Sequence, residues 1–226
     1  MNLTYYGHAC IGLETAGQHL LIDPFISPNP LAASIDSRSI PADAILLTHG
    51  HADHVADAVD IARRTGALVI SNFEIVSWLA SQGISHTHPM NLGGSRQFDF
   101  GRLRSVTALH SSVLPDGTCG GNPGGFTLHN AEGGIYISGD TALTFDMKLI
   151  GERWPVQTAV VCIGDNFTMG PEDAATAAAW SGARRAVGVH YDTFPPITLD
   201  KDAARRAFAA AGVELLLPAI GETITL

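Results

Sequence analysis

A chain of 226 residues is long enough for one large domain, or for two repeated halves that share one sheet system. With 46% hydrophobic and 15% charged residues it can bury a sizeable core, which excludes a disordered chain. Its net charge of −9, unrelieved by any Lys/Arg block or stripe, argues against a nucleic-acid partner, since phosphates need neutralising cations.

The first quarter alternates short strands with tight turns. Leu3 to Tyr6 leads into Gly7-His8, Cys10 to Thr15 follows, and Ala16-Gly17 turns the chain into His19 to Asp23. The proline-punctuated stretch Ser27 to Ile40 reads as a loop. Ala44 to Thr48 is a short apolar run of the buried-strand type. Ala56 to Thr65 is a predicted helix stopped by Gly66, Leu68 to Ser71 a strand, and Phe73 to Ser81 a second helix stopped by Gly83. Strand patterning returns from Gln97 to His110 with a turn at Gly101, and the Gly-rich stretch Cys119 to Gly125 reads as a loop on the substrate side. Phe126 to His129 and Ile135 to Ser138 are joined by the hairpin signal Glu132-Gly133-Gly134. Thr158 to Ile163 is a buried strand, and Gly170-Pro171-Glu172-Asp173 opens an Ala-rich helix with proline and acids in its first turn. Ala186 to Val189 is a strand, Asp200 to Ala211 a helix closed by Gly212, and Glu214 to Leu217 and Thr223 to Leu226 are strands. Strand-rich stretches alternating with helices, twice over, predict an α+β fold of two mixed sheets packed face to face with helices outside.

Chemistry-bearing residues recur where the strands end: His8, Asp23, His49, His110, Asp140, Asp165 and His190. The densest group is His49-Gly50-His51-Ala52-Asp53-His54, four ligand-type residues in six, directly after an apolar run. Burying three imidazoles and a carboxylate at one strand end is costly unless a cation compensates them. His49, His51 and Asp53 alternate, so their side chains can aim the same way, while Asp53 and His54 diverge toward a second centre. These residues alone are too few for two ions, and His110, Asp140 and His190 are the candidates to complete the set. All-nitrogen and oxygen ligation suits zinc, manganese or iron. His8 reads either as a strand-end imidazole bonded to backbone or as an acid that protonates a leaving group. Asn166 and Thr168, near a helix start, are candidate oxyanion and substrate contacts. His19, His86, His88 and His129 are expected at the surface, and Cys10 in packing.

The motifs His49-Gly50-His51-Ala52-Asp53-His54, His110, Gly139-Asp140-Thr141 and Gly188-Val189-His190 resemble, in order, those of the metallo-β-lactamase fold superfamily, and Leu21-Ile22-Asp23-Pro24 resembles its first motif. The likeness spans the whole chain, residues 1–226, as one hydrolase domain. It implies a four-layer αβ/βα sandwich, with one ion held by His49, His51 and His110, another by Asp53, His54 and His190, Asp140 bridging, and Asp23 supporting the site. Gly7-His8-Ala9-Cys10, Asn166-Phe167-Thr168-Met169-Gly170-Pro171 and His190-Tyr191-Asp192-Thr193-Phe194-Pro195 narrow the resemblance to small metal-dependent hydrolases related to ascorbate-6-phosphate lactonases.

The resemblance implies a metal-dependent hydrolase in which two divalent ions, zinc or manganese with iron as the alternative, share a hydroxide that attacks an ester, lactone or phosphoester of a small molecule. Asp53 is expected to orient that hydroxide while serving as a ligand. An iron-dependent redox enzyme on the same fold is the alternative class, and a nuclease the alternative hydrolase. Three widely spaced cysteines form no disulfide framework, no basic and apolar leader opens the chain, and no run approaches the roughly 20 apolar residues of a membrane span. The expectation is a cytoplasmic protein with no membrane partner, for which a homo-oligomer is compatible.

Overall fold

A computed structural model describes residues 1–226. Fourteen strands and six helices follow one another along the chain. The first half runs β1 (Asn2–Gly7), β2 (Cys10–Thr15), β3 (Gln18–Ile22), β4 (Ala44–Leu46), α1 (Ala52–Val55), α2 (Ala58–Thr65), β5 (Leu68–Ser71), α3 (Phe73–Ser81) and β6 (Thr87–Pro89). The second runs β7 (Ser95–Phe98), β8 (Gly101–Thr107), β9 (Gly124–Asn130), β10 (Gly133–Ile137), α4 (Asp146–Arg153), β11 (Thr158–Cys162), α5 (Pro171–Trp180), β12 (Arg185–Val189), α6 (Lys201–Ala210), β13 (Glu214–Leu216) and β14 (Thr223–Thr225).

The strands form two seven-stranded sheets, ordered β14-β1-β2-β3-β4-β5-β6 and β13-β12-β11-β10-β9-β8-β7. Each sheet has an antiparallel part built from hairpins and a parallel part built from crossovers. The halves therefore repeat one plan, and β14 returns to the edge of the first sheet, pairing Leu3 with Ile224.

Period-two alternation makes the four layers. Leu20, Ile22, Leu46 and Ile70 of the first sheet meet Leu103, Leu128, Ile135, Ile137, Val160 and Val187 of the second in a core between the sheets. The intervening residues face outward. Leu21, Ile45 and Val69 pack with Val55, Ile61, Ile75 and Leu79 of the first helical layer. Tyr136, Ala159 and Val161 pack with Met147, Ile150, Ala174, Ala178 and Phe208 of the second. Central strands buried on both faces read as unbroken apolar runs, which is why β4 and β11 were legible as buried strands.

Three details depart from the sequence expectation. The metal-type segment does not stay a turn, because Asp53 and His54 sit on the short helix α1, which precedes α2. His110 lies three residues beyond the end of β8, in coil. Helix α4 and strand β6 carried too little pattern to be read. In α4 only Met147 and Ile150 are buried, and β6 is a three-residue edge strand in which Pro89 is tolerated.

Candidate metal centre

Strand ends from both sheets deliver polar side chains to one rim. His8 follows β1, Asp23 follows β3, and Thr48 and His49 follow β4, while Asp140 and His190 follow β10 and β12 of the other sheet. Gly139 makes the Asp140 position attainable: its φ is +60°, and a Cβ there would lie 2.8 Å from that of Thr48. His8, Asp23, Asp165, Asn166, His190 and Asp192 also have positive φ, and Ala16 is the remaining non-glycine residue that does. Left-handed backbone is costly for such residues, and here it is concentrated around one cluster.

Asp23 organises the first sheet's contribution. Its Oδ1 accepts from the Thr48 backbone N–H at 2.8 Å, and its Oδ2 accepts from the Thr48 hydroxyl at 2.7 Å and from His54 Nδ1 at 2.9 Å. The Thr48 hydroxyl, having donated its proton, accepts from His49 Nδ1 at 3.0 Å. Both rings thus carry their proton on Nδ1 and turn an Nε2 lone pair inward. His51 is arranged the other way: its Nε2 lies 3.3 Å from Ser111 Oγ, leaving Nδ1 3.0 Å from His49 Nε2.

These nitrogens and carboxylates form three overlapping groups with ligand atoms within 4.8 Å of one another: His49, His51, His110; His49, His54, Asp140; and His8, Asp53, His54, His190. Asp140 Oδ2 joins them, lying 2.9 Å from His190 Nε2, 3.4 Å from His54 Nε2 and 3.6 Å from His110 Nε2. The donor set fits divalent cations on internal grounds. His49 Nε2 and His51 Nδ1 converge to 3.0 Å, and His54 Nε2 and Asp140 Oδ1 are buried without a hydrogen-bond partner. His190 Nδ1 is likewise buried and unpartnered, so no neighbour sets its tautomer.

Electrostatics favour the ligating forms of His49, His51, His110, Asp53 and Asp140. Burial lowers the pKa of His49 well below its ordinary value and lowers those of His51 and His110, keeping the rings neutral. Burial acts to raise the Asp53 and Asp140 carboxyls but is outweighed, for Asp53 by the His8 hydrogen bond and His54, for Asp140 by His54 and His190. Both therefore stay ionised. Burial of His54 is outweighed in turn by Asp140 and Asp23, which raise its pKa well above the ordinary value. A positive charge is favoured at its Nε2, where proton and metal compete.

All seven expected metal ligands and Asp23 are thus brought together, and the other expected site residues are placed differently. His8 is buried behind Asp53, its Nε2 3.0 Å from Asp53 Oδ2 and its Nδ1 2.9 Å from Thr193 Oγ1. Burial pushes its pKa down to about 4 against the opposing pull of Asp53, so the ring is uncharged at neutral pH and its Nε2–H donates to the Asp53 carboxylate. Asn166 and Thr168 flank, rather than line, the open pocket of about 280 Å³ over the cluster, and the residue between them, Phe167, lines it. Ser111 and Phe194, the latter within the His190-to-Pro195 motif, complete the wall. Cys119 to Gly125 does not line the pocket either. Gly120 packs against Gly50 behind the histidines, while Cys119 and Gly121 face a separate cleft beside Glu74.

The Beta-lactamase superfamily domain matches residues 18–191, a span that includes seven of the eight clustered metal-type residues and Asp23. The chain belongs to this superfamily. Along its full length this β-lactamase superfamily member is 49% identical to a UPF0173 metal-dependent hydrolase of Flavobacterium johnsoniae and 47% identical to one of Methylacidiphilum infernorum, each covered completely. Igni18, described as a novel metallo hydrolase from the archaeon Ignicoccus hospitalis, superposes with a TM-score of 0.89 at 33% identity, over 99% of this chain and 97% of that one. An isothiocyanate hydrolase from Delia radicum gut bacteria shares the fold, with a TM-score of 0.80 at 23% identity over 100% and 99% of the two chains. This superfamily member is a metal-dependent hydrolase. None of its helices is long and apolar enough to cross a membrane.

Proposed function

We propose that the chain hydrolyses an ester or lactone bond of a small molecule at a centre of two divalent ions, zinc or manganese. His49, His51 and His110 would hold one ion, Asp53, His54 and His190 the other, with Asp140 shared. The observation that carries this reading is Asp140 Oδ2, a single carboxylate oxygen within 3.6 Å of His110 on one side and of His54 and His190 on the other. Bound ions of this kind supply a water acidified toward neutral pH and polarise the oxygen under attack.

The residues themselves do the rest. Asp23 holds His54 directly, and His49 through Thr48, in the tautomers that ligate. Ser111 Oγ, 3.3 Å from His51 Nε2, meets the ring nitrogen opposite the one that faces His49. His8 positions Asp53, whose Oδ2 it meets at 3.0 Å and which reaches the pocket surface. Asp53 orients the attacking water by accepting a hydrogen bond from it. The lining contains no lysine or arginine to pair with a phosphate, which ranks carboxylic esters and lactones above phosphoesters.

The test is metal analysis of the purified chain beside Asp140→Ala, with turnover assayed on lactones, aryl esters and phosphodiesters after zinc or manganese loading. Two ions per wild-type chain with lactone or ester turnover, and loss of both in the variant, is the expected result. Full activity in a metal-free Asp140→Ala protein would refute the reading.

A further inference from the structure

Around this polar floor the pocket wall is aromatic. Phe167 is 52% exposed, and the turn that presents it is strained, since Asp165 and Asn166 before it have φ of +60° and +54°. That turn is tied to the metal-type cluster: Met169 N–H donates to Thr141 O at 3.0 Å, next to Asp140, and Asp165 N–H donates to Met169 O at 3.0 Å. Phe194 stands on another element, its ring centroid 5.4 Å from that of His8 in an edge-on arrangement. Leu109, next to His110 in the chain, is 63% exposed, and its carbonyl accepts from Ala142 N–H at 3.1 Å. Two aromatic side chains from separate segments, Phe167 and Phe194, thus line one mouth although neither is buried in the core.

Charge points the same way. The lining carries the Asp53 and Asp140 carboxylates and no cationic side chain, on a chain of net charge −9. Any positive charge contributed by bound ions sits at the floor, so a second anionic group on a substrate would project among aromatic rings without a partner. A volume of about 280 Å³ lies just under the usual range of small-molecule pockets, which limits the occupant to one ring or a short chain beyond the reacting bond.

We propose that the substrate is uncharged and carries one aryl or short alkyl group, which Phe167 and Phe194 grip from opposite segments while the scissile bond faces the metal-type residues. This rests on the dinuclear reading above and adds the substrate class to it. The two phenylalanines are specificity residues that touch substrate, and the anionic sugar phosphates of the lactonase resemblance fall outside the class.

Calorimetric binding of three metal-chelating probes to the zinc-loaded full chain tests this: acetohydroxamate, phenylacetohydroxamate and the carboxylate-tailed succinohydroxamate. The phenyl probe is expected to bind about tenfold or more tighter than the methyl probe, as burial of a ring in an apolar wall provides. The carboxylate-tailed probe is expected to bind more weakly than the phenyl probe. Phe167→Ala and Phe194→Ala should each retain two zinc ions and reduce the phenyl-to-methyl preference to about twofold or less. Equal affinities, a preference for the carboxylate tail, or a phenyl preference that survives both substitutions overturns the inference. An intact phenyl preference without turnover of any ester or lactone supports it and overturns the hydrolase chemistry alone. Absence of all hydroxamate binding overturns both.

Discussion

Asp23 shows how much of a metal-type site can depend on a residue that touches no ion. One carboxylate oxygen accepts from two donors, and it sets the protonated nitrogen of His54 directly and of His49 through Thr48. Asparagine would offer an N–H where Oδ2 now accepts, forcing His54 to move its proton to Nε2. Asp23→Asn is therefore expected to weaken metal binding by about 10- to 100-fold without unfolding the chain, measured by competition with a chelator. His8→Ala separates the centres differently. It frees Asp53 and leaves His49, His51 and His110 untouched, so one of two titrated metal affinities should fall while the other holds. Equal loss at both ions would show that His8 supports the fold rather than Asp53. That His8 positions Asp53 was not legible in the sequence, because the depressed pKa comes from burial beneath Phe25 and Phe194, residues 17 and 186 positions away by their numbers.

Helix termini and strand ends were the most readable elements, since their signals are local. Asn72 caps α3, accepting from Ile75 N–H at 2.9 Å, and Asp200 caps α6, accepting from Asp202 and Ala203 N–H at 3.0 and 2.9 Å. Asp200→Ala leaves those donors to water and is expected to lower stability by about 1 kcal/mol in a denaturant titration, with metal content unchanged. Elements without a local signal were missed for the converse reason. Helix α4 buries two side chains against α5 and β11, and only the finished outer face of the second sheet shows where it must lie. The same holds for the turn at Asp165 and Asn166, whose left-handed backbone is unfavourable locally and is held in place by its bonds to Thr141 and Met169.

At the level of the molecule, two half-chains of like plan join along one inter-sheet core, and polar ties seal its edge. Glu132, in the β9–β10 turn, accepts from Ala16 N–H at 2.6 Å and Thr15 Oγ1 at 3.1 Å and pairs with the Met1 amino group at 2.8 Å, linking the second sheet to the first. The amino group first, and then the Ala16 N–H, lower the Glu132 carboxyl from 4.5 to about 2. A depressed carboxyl contributes stability above its unfolded pKa that disappears as pH falls through the folded value. Glu132→Gln should thus lower the melting temperature at pH 7 and converge with the unsubstituted chain as pH drops from about 4.5 toward 2.

The residues alone already declared the metal chemistry and the α+β layering. Ligand type, close spacing and period-two apolar alternation are local properties, and an imidazole cluster behind a buried strand is hard to stabilise without a bound cation. The convergence of His110, Asp140 and His190 on the first cluster rested on a resemblance until the two sheets brought their strand ends to one rim. The wall's aromatic residues could not be read: Phe167 looks like any exposed loop residue, and Asn166 and Thr168 beside it look the more chemical. Side-chain direction in a left-handed turn follows from long-range tethers between sheets, so the pocket's aromatic character belongs to the folded arrangement and has no counterpart in the order of residues.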